Sequence, residues 1–211
     1  MNFTIKGPGR KIFEIHVVGE GTLRKNAKFV TIFDENLREF VGDMFATMYA
    51  ADGIGLAAPQ VGKSLRVVVM DVSSSLSEGE MCKFDGQEVQ DIASIMPLHL
   101  INPVIKKYSS EICSQKEGCL SIPGFSGHVK RPREVTLIFV DQKNASHTLT
   151  CDGILARCAQ HEIDHLNGKL YTDLMSHQDK KRFAKYLAER SEMQSSERDD
   201  GDSGAPDNLQ S

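Results

Sequence analysis

Residues 161–165 read His161-Glu162-Ile163-Asp164-His165, and their spacing already dictates a chemistry. Four residues are slightly more than one helical turn, so both imidazoles project from one face toward a common point. Two convergent imidazoles suit a divalent transition metal, and a glutamate beside the first is placed to move protons for a metal-activated water. Cys119, within Glu117-Gly118-Cys119-Leu120-Ser121, is a third donor of suitable softness. One thiolate, two imidazoles and a water leave an exchangeable position, as catalysis requires and a closed structural site does not. Taken alone, Cys119 would serve equally as a small buried apolar residue, and spacing does not bring it to the histidines.

A third segment, Gly53-Ile54-Gly55-Leu56-Ala57-Ala58-Pro59-Gln60, follows a helical pattern and precedes the apolar run Arg66 to Val72. Its glycines and alanines let backbone approach a ligand closely, and the Gln60 amide can donate a hydrogen bond to a developing oxyanion. Together with Glu117–Ser121 and His161–Gly168, in this order, the segment resembles the three signature motifs of the peptide deformylase family, over about residues 15 to 190. The resemblance implies that Cys119, His161 and His165 bind one divalent metal with water as the fourth ligand. It makes Glu162 the general base and then general acid, and gives Gln60 and the Leu120 N–H the tetrahedral oxyanion. Gly55 would pair with an extended substrate backbone. Ile54, Glu117, Gly118, Arg157 and Cys158 would line the remainder of the substrate site. The implied substrate is the N-formylmethionyl end of a nascent peptide, cleaved to formate and a free amine.

Thiolate and imidazole donors admit Zn(II), Fe(II), Ni(II) or Co(II); the resemblance favours Fe(II) in the cell. With 211 residues, 40% of them apolar, the chain is sized for one domain, expected over residues 1–193, with the polar segment 194–211 as a disordered tail. No apolar run approaches a membrane span, and the N-terminal residues lack the apolar stretch of a secretory signal. Five cysteines without a regular framework fit a reducing, cytoplasmic setting. A net charge of -4 carries no message about nucleic acid.

Several elements must position these groups. Asp34 is the expected cap of a helix over about Glu35 to Ala50, with Leu37, Phe40, Val41, Met44, Phe45 and Met48 on one face. Strands are expected at Lys11–Val18, Arg66–Val72, Leu98–Lys107, Glu134–Asp141 and Ser146–Cys151. Asp152 should cap the histidine-bearing helix, and Gly168 should end it. Strands flanking helices without repeating βαβ units indicate an α+β fold. The resemblance places mixed or antiparallel sheets around the central HEIDH helix, with a further C-terminal helix.

Three segments stand apart. Residues Ser73–Pro97 form a long polar connection, expected as a surface hairpin or mobile loop, or alternatively as a lid. Ser176–Glu192 reads as a helix with Phe183, Tyr186 and Leu187 inward and Lys180, Lys181, Arg182, Lys185 and Arg190 outward. The resemblance suggests ribosome contact through that basic face. Arg157, one turn before His161, stands where many members of the resembled family carry an apolar residue; it is expected to snorkel outward, the alternative being to narrow or polarise the pocket rim. A zincin-type endopeptidase would instead recruit a downstream ligand such as Asp173 or His177, leaving the other two motifs without a role.

Overall fold

The computed structural model of the protein describes residues 9–199. Helix α1 spans Glu35–Ala50, with the expected bounds. Asp34 Oδ1 accepts a 3.0 Å hydrogen bond from the Leu37 N–H, satisfying one of the donors that a helix start leaves unpaired. Val41, Met44, Phe45 and Met48 are fully buried on one stripe. Burying each such side chain contributes roughly 1.5–3 kcal/mol, so packing rather than propensity holds α1 in place.

The sheet it packs on is antiparallel throughout. Strands β1 (Gly55–Ala57), β2 (Val67–Met70), β3 (Cys82–Phe84), β4 (Gln87–Glu88), β5 (Leu98–Tyr108), β8 (Val135–Val140) and β9 (Ser146–Cys151) lie in the order β1-β2-β5-β8-β9-β3-β4. Strands β6 (Ile112–Cys119) and β7 (Ile122–Pro132) form a separate hairpin. Strand β2 reads as an unbroken apolar run because both its faces are covered. Val67 and Val69 join the cluster under α1, whereas Val68 and Met70 join the cluster under the second helix.

That second helix, α2, spans Gly153–Leu166 and carries the histidines. Eleven of its fourteen residues are buried, which makes it a core element held between the two sheets rather than a surface helix. Its ends are tied by distant chain. Asp152 stands at the N-cap, but its carboxylate accepts instead from the Met81 N–H at 2.6 Å. The helix donor Ile154 N–H goes to Glu80 at 3.1 Å. At the other end the Leu166 carbonyl accepts from Ala27, and Gly168 turns the chain with φ +67°.

Other expectations are corrected. Lys11–Val18 is extended but joins no sheet. It runs as a strap, with His16 N–H donating to the Gln60 carbonyl and Val18 N–H to that of Ser121, each at 2.8 Å. The 73–97 connection, by contrast, takes the expected form of a surface hairpin, β3–β4, at the sheet edge with Cys82 opposite Cys151 on β9. Helix α3 spans Tyr171–Leu174 and α4 His177–Asp199, so α4 continues past the expected domain end at 193. Phe183 and Tyr186 of α4 pack on Phe125, but Leu187 is exposed rather than inward. The rest of the expected polar tail, residues 200–211, lies outside the described residues. Among those described, no helix is long and apolar enough to cross a membrane.

Gly168 and Gly124 both adopt positive φ, yet their surroundings differ. A Cβ at Gly168 would lie 2.6 Å from the Arg24 carbonyl oxygen, whereas one at Gly124 would meet nothing within 4 Å. Gly124→Ala should therefore cost about 1–2 kcal/mol from backbone strain alone. Gly168→Ala should cost more by roughly a further 1–3 kcal/mol of overpacking. Urea unfolding of the two variants measures the difference; equal losses would mean that the α2 terminus yields freely.

Candidate metal centre

Cys119 ends β6 just before the tight connection to β7, and this turn delivers its sulfur to α2. Cys119 Sγ lies 3.2 Å from His165 Nε2, and the ligand atoms of Cys119, His161 and His165 all fall within 4.8 Å of one another. No other such group of three occurs among the described residues. Asp173 is engaged with Arg24 at the surface, so the downstream ligand of a zincin-type site has no counterpart in it.

The tuning of these groups fits a cation. His161 Nδ1 is paired with Glu117 Oε2 at 3.0 Å, which fixes the ring and leaves Nε2 for the centre. Burial opposes charge on His161, yet hydrogen bonds to Cys119 and Glu117 hold its pKa well above the usual imidazole range. The surrounding donors thus favour positive charge at this point, as a divalent ion would supply. His165 is pushed the other way, by burial and then by the charges of His161 and Arg131, so it stays a neutral donor. Soft sulfur, two imidazoles and inward negative potential suit a transition metal.

Behind the donors sits a buried ionic cluster. Burial would raise the Glu117 pKa, but hydrogen bonds from His161 and Arg131 bring it down to about 2. Arg131 Nε and Nη2 reach the two Glu117 oxygens at 2.7 and 3.0 Å, and Nη1 reaches Asp164 at 2.7 Å. Arg157 does not snorkel outward. It is 7% exposed, donates to Glu117 Oε1, and also caps the carbonyls of Val129 and Cys113 at 3.2 and 3.1 Å. The energy of a buried carboxylate favours this inward turn, since a second guanidinium satisfies a lone pair that water cannot reach. Glu117 lines the cleft, but its oxygens are committed to this cluster.

Glu162, on the open side, is different. Its Oε2 is buried without a hydrogen-bond partner, and burial raises its pKa to about 7, with His161 and Arg131 offsetting only part. A carboxyl held near neutrality can take up and release a proton. Gln60 is oriented by its own chain: Oε1 accepts from Ala57 N–H at 2.8 Å, so Nε2 faces Ser121 Oγ at 3.1 Å and Cys119 Sγ at 3.5 Å. The Cys158 thiol is pushed well above its ordinary pKa by burial and by Glu162, which makes it a packing group rather than a nucleophile.

These residues front a cleft of about 610 Å3 walled by Ile54, Gly55, Gly118, Leu120, Cys158 and Glu162 among others. β1 is the edge of its sheet. Asp71 N–H donates to the Ile54 carbonyl, so strand alternation turns the Gly55 N–H and C=O toward the unpaired edge and the cleft. Only glycine fits there: a Cβ on Gly55 would lie 2.5 Å from Glu162 Oε1 and 2.8 Å from Cys158 Sγ.

Residues 12–181 match the profile of polypeptide deformylase. The chain belongs to this family. A peptide deformylase 1 from Nostoc is 44% identical over 160 residues, covering 76% of this chain and 77% of the relative. Two solved structures agree. The peptide deformylase of Ehrlichia chaffeensis superposes with TM-score 0.75 at 35% identity, over 88% of this chain and 99% of that one. That of Synechococcus elongatus, in complex with actinonin, gives TM-score 0.69 at 38% identity, over 82% and 85%. Deformylases are hydrolases with a single catalytic metal that remove the N-formyl group from nascent peptides, and this is the activity that membership gives the chain.

All the expected deformylase positions converge on one cleft. What the sequence reading missed is the supporting shell of Arg131, Asp164 and Ser121. Arg131 is fourteen residues from Glu117 and meets it only across the β6–β7 hairpin. Glu117→Ala should leave two guanidiniums without their carboxylate and cost about 3–5 kcal/mol in stability. The folded fraction should also bind metal roughly 10–100-fold more weakly, because His161 loses its orienting acceptor. Chelator competition alongside thermal unfolding checks both; unchanged metal affinity would refute the orienting role.

Proposed function

We propose that Cys119, His161 and His165 hold the catalytic metal, Fe(II) in the cell, with Zn(II), Ni(II) or Co(II) able to replace it. When bound, such an ion supplies Lewis acidity and lowers the pKa of water toward neutrality. The chain's own residues do the rest. Glu162 takes the proton from the attacking water and returns it to the departing amine, a role supported by its unpartnered oxygen and its pKa near 7. Gln60 Nε2, its orientation set by Ala57, donates to the formyl oxygen as negative charge grows there, alongside the Leu120 N–H. Gly55 pairs with the substrate backbone as an added strand, while Ile54, Gly118, Cys158 and Arg157 border the substrate and Glu117 acts through His161.

The observation that carries this reading is the juxtaposition of three soft donors with a buried, unpaired Glu162 at an open strand edge. Formate release from formyl-Met-Ala-Ser should disappear on chelation, return with Fe(II) or Ni(II), and be absent with the acetylated peptide. Glu162→Ala should keep the metal yet lose at least about 100-fold in turnover. Turnover that survives in metallated Glu162→Ala would remove the base from the scheme.

We place the enzyme in the cytoplasm, acting as chains emerge. Lys180, Lys181, Arg182 and Lys185 are exposed on α4, a cationic face suited to phosphate backbone. Co-sedimentation with ribosomes should weaken with salt, and more steeply for the wild type than for a Lys180→Glu/Lys181→Glu/Lys185→Glu variant. Binding unaffected by these changes would exclude α4 as the docking face.

A further inference from the structure

Strands β3 and β9 set two cysteines face to face, Cys82 against Cys151, and the hydrogen bonds around them fix the type of pair. Asp152 N–H donates to the Met81 carbonyl at 3.0 Å and Asp85 N–H to that of Thr148 at 2.8 Å, so the odd-numbered positions along β3 and its flanks carry the bonds to β9. Cys82 turns its own carbonyl the other way, to the Val89 N–H at 2.9 Å, just past β4. Cys82 and Cys151 are therefore directly opposed without ladder bonds between them, the kind of pair whose Cα atoms approach to about 4.5 Å with both side chains on one face. A disulfide accepts Cα separations of roughly 4.4–6.8 Å, so the two residues can be bridged with both strands in place. Both are free thiols in the same buried cluster, at 2% and 0% exposure.

We infer that Cys82 and Cys151 are a redox-modification site, at which a low-molecular-weight disulfide converts the two thiols into a reversible cross-strand bond that clamps the start of α2. The consequence for α2 lies in the neighbouring residues. Cys151 precedes Asp152, whose carboxylate takes the Met81 N–H, and Cys82 follows Glu80 and Met81, the first of which accepts from the Ile154 N–H. The hydrogen bonds that tether the first turn of α2 thus flank the pair, and a bond between the sulfurs holds the same segments together covalently. Access runs through the sheet edge, where β4 is two exposed residues long and is lifted by local opening. Burial, and after it the Asp152 charge, raises the Cys82 thiol to about 11, which keeps it unreactive while the hairpin is shut. On opening, the Cys82 thiolate attacks one sulfur of the reagent disulfide and expels the first small thiol. The Cys151 thiolate then attacks Cys82 Sγ and expels the second. Two protein thiols give up two electrons and two protons, and the reagent disulfide takes them up as two thiols. In a reducing compartment such a bond is transient, which is the behaviour of a redox-responsive pair.

The test incubates the metal-loaded full chain with glutathione disulfide in the absence of denaturant, blocks remaining thiols with N-ethylmaleimide, and digests with trypsin without reduction. Cleavage after lysine and arginine puts the five cysteines on five separate peptides, with Cys82 on residues 67–83 and Cys151 on residues 144–157. Mass spectrometry should find these two peptides joined, and dithiothreitol should part them. The oxidised protein should melt about 5–10 °C higher than the reduced one, since the bond closes a long loop of the unfolded chain. Amide exchange over residues 153–157 should slow at the same time. Cys82→Ala should show neither change on oxidation; should that variant not fold, the peptide map of the wild type carries the test alone. No joined peptide at any ratio of glutathione disulfide to glutathione, or a bond through Cys113, Cys119 or Cys158 instead, would overturn the inference and leave the pair as packing residues. A joined peptide that leaves both melting and exchange unchanged would overturn the clamp.

Discussion

The arrangement turns on the Glu117 carboxylate, buried at the back of the metal centre and facing Arg131, Arg157 and His161. A lone carboxylate in that position would be too costly to keep ionised. Two guanidiniums and an imidazole make it the junction of both β6–β7 strands with α2. Its negative charge then passes through His161 to the donor set, so that one side chain fixes a ring and sets the sign of the pocket. Glu162 lies on the other side of that helix turn, away from the arginines, and keeps the unpaired oxygen that catalysis needs. Two glutamates forty-five residues apart in sequence thus divide the work by environment: one is held permanently ionised and the other is left poised.

Delivery of these groups depends on elements that contribute no chemistry. β1 is three residues long, yet its edge position provides the backbone groups turned toward the cleft. The N-terminal strap ties the carbonyls of Gln60, just after β1, and Ser121, in the turn between β6 and β7, to a single extended stretch. Gln60 and Ser121 are also joined side chain to side chain. Strap and hydrogen bond together join the large sheet to the β6–β7 hairpin beside Cys119.

Legibility in the sequence followed the range of the interaction. The α1 bounds, the Asp34 cap and strands β5, β8 and β9 rest on local periodicity and capping chemistry, and they stand where the residues suggested, whereas the β6–β7 hairpin was not foreseen. The ligand residues were legible because histidine spacing is itself local and because the three motifs together resemble a known family. Arg157 was misjudged because its partner, Glu117, lies forty residues away and nothing in the local sequence marks the pair. Asp152 sits at the cap position, but Met81 competes for its side chain, and Glu80 takes over the capping role from seventy-four residues away. Lys11–Val18 has the alternation of a strand without a neighbour to pair with along its length, which composition alone cannot reveal.

The two tethers of α2 carry a consequence for how the molecule is assembled. The helix spans residues 153–166, its first turn is closed by Glu80 and its last by Ala27, and Cys119 must arrive from a separate hairpin. Nearly all contacts that complete the centre are therefore distant in sequence, the regime in which loop closure dominates the folding barrier. During synthesis all nine described strands are made before α2 exists, and the metal ligands cannot come together until His165 has been added. An enzyme whose substrates are unfinished polypeptides thus gains its own activity only once the helix that follows its ninth strand has been made, so that copies halted before α2 hold no competent metal site.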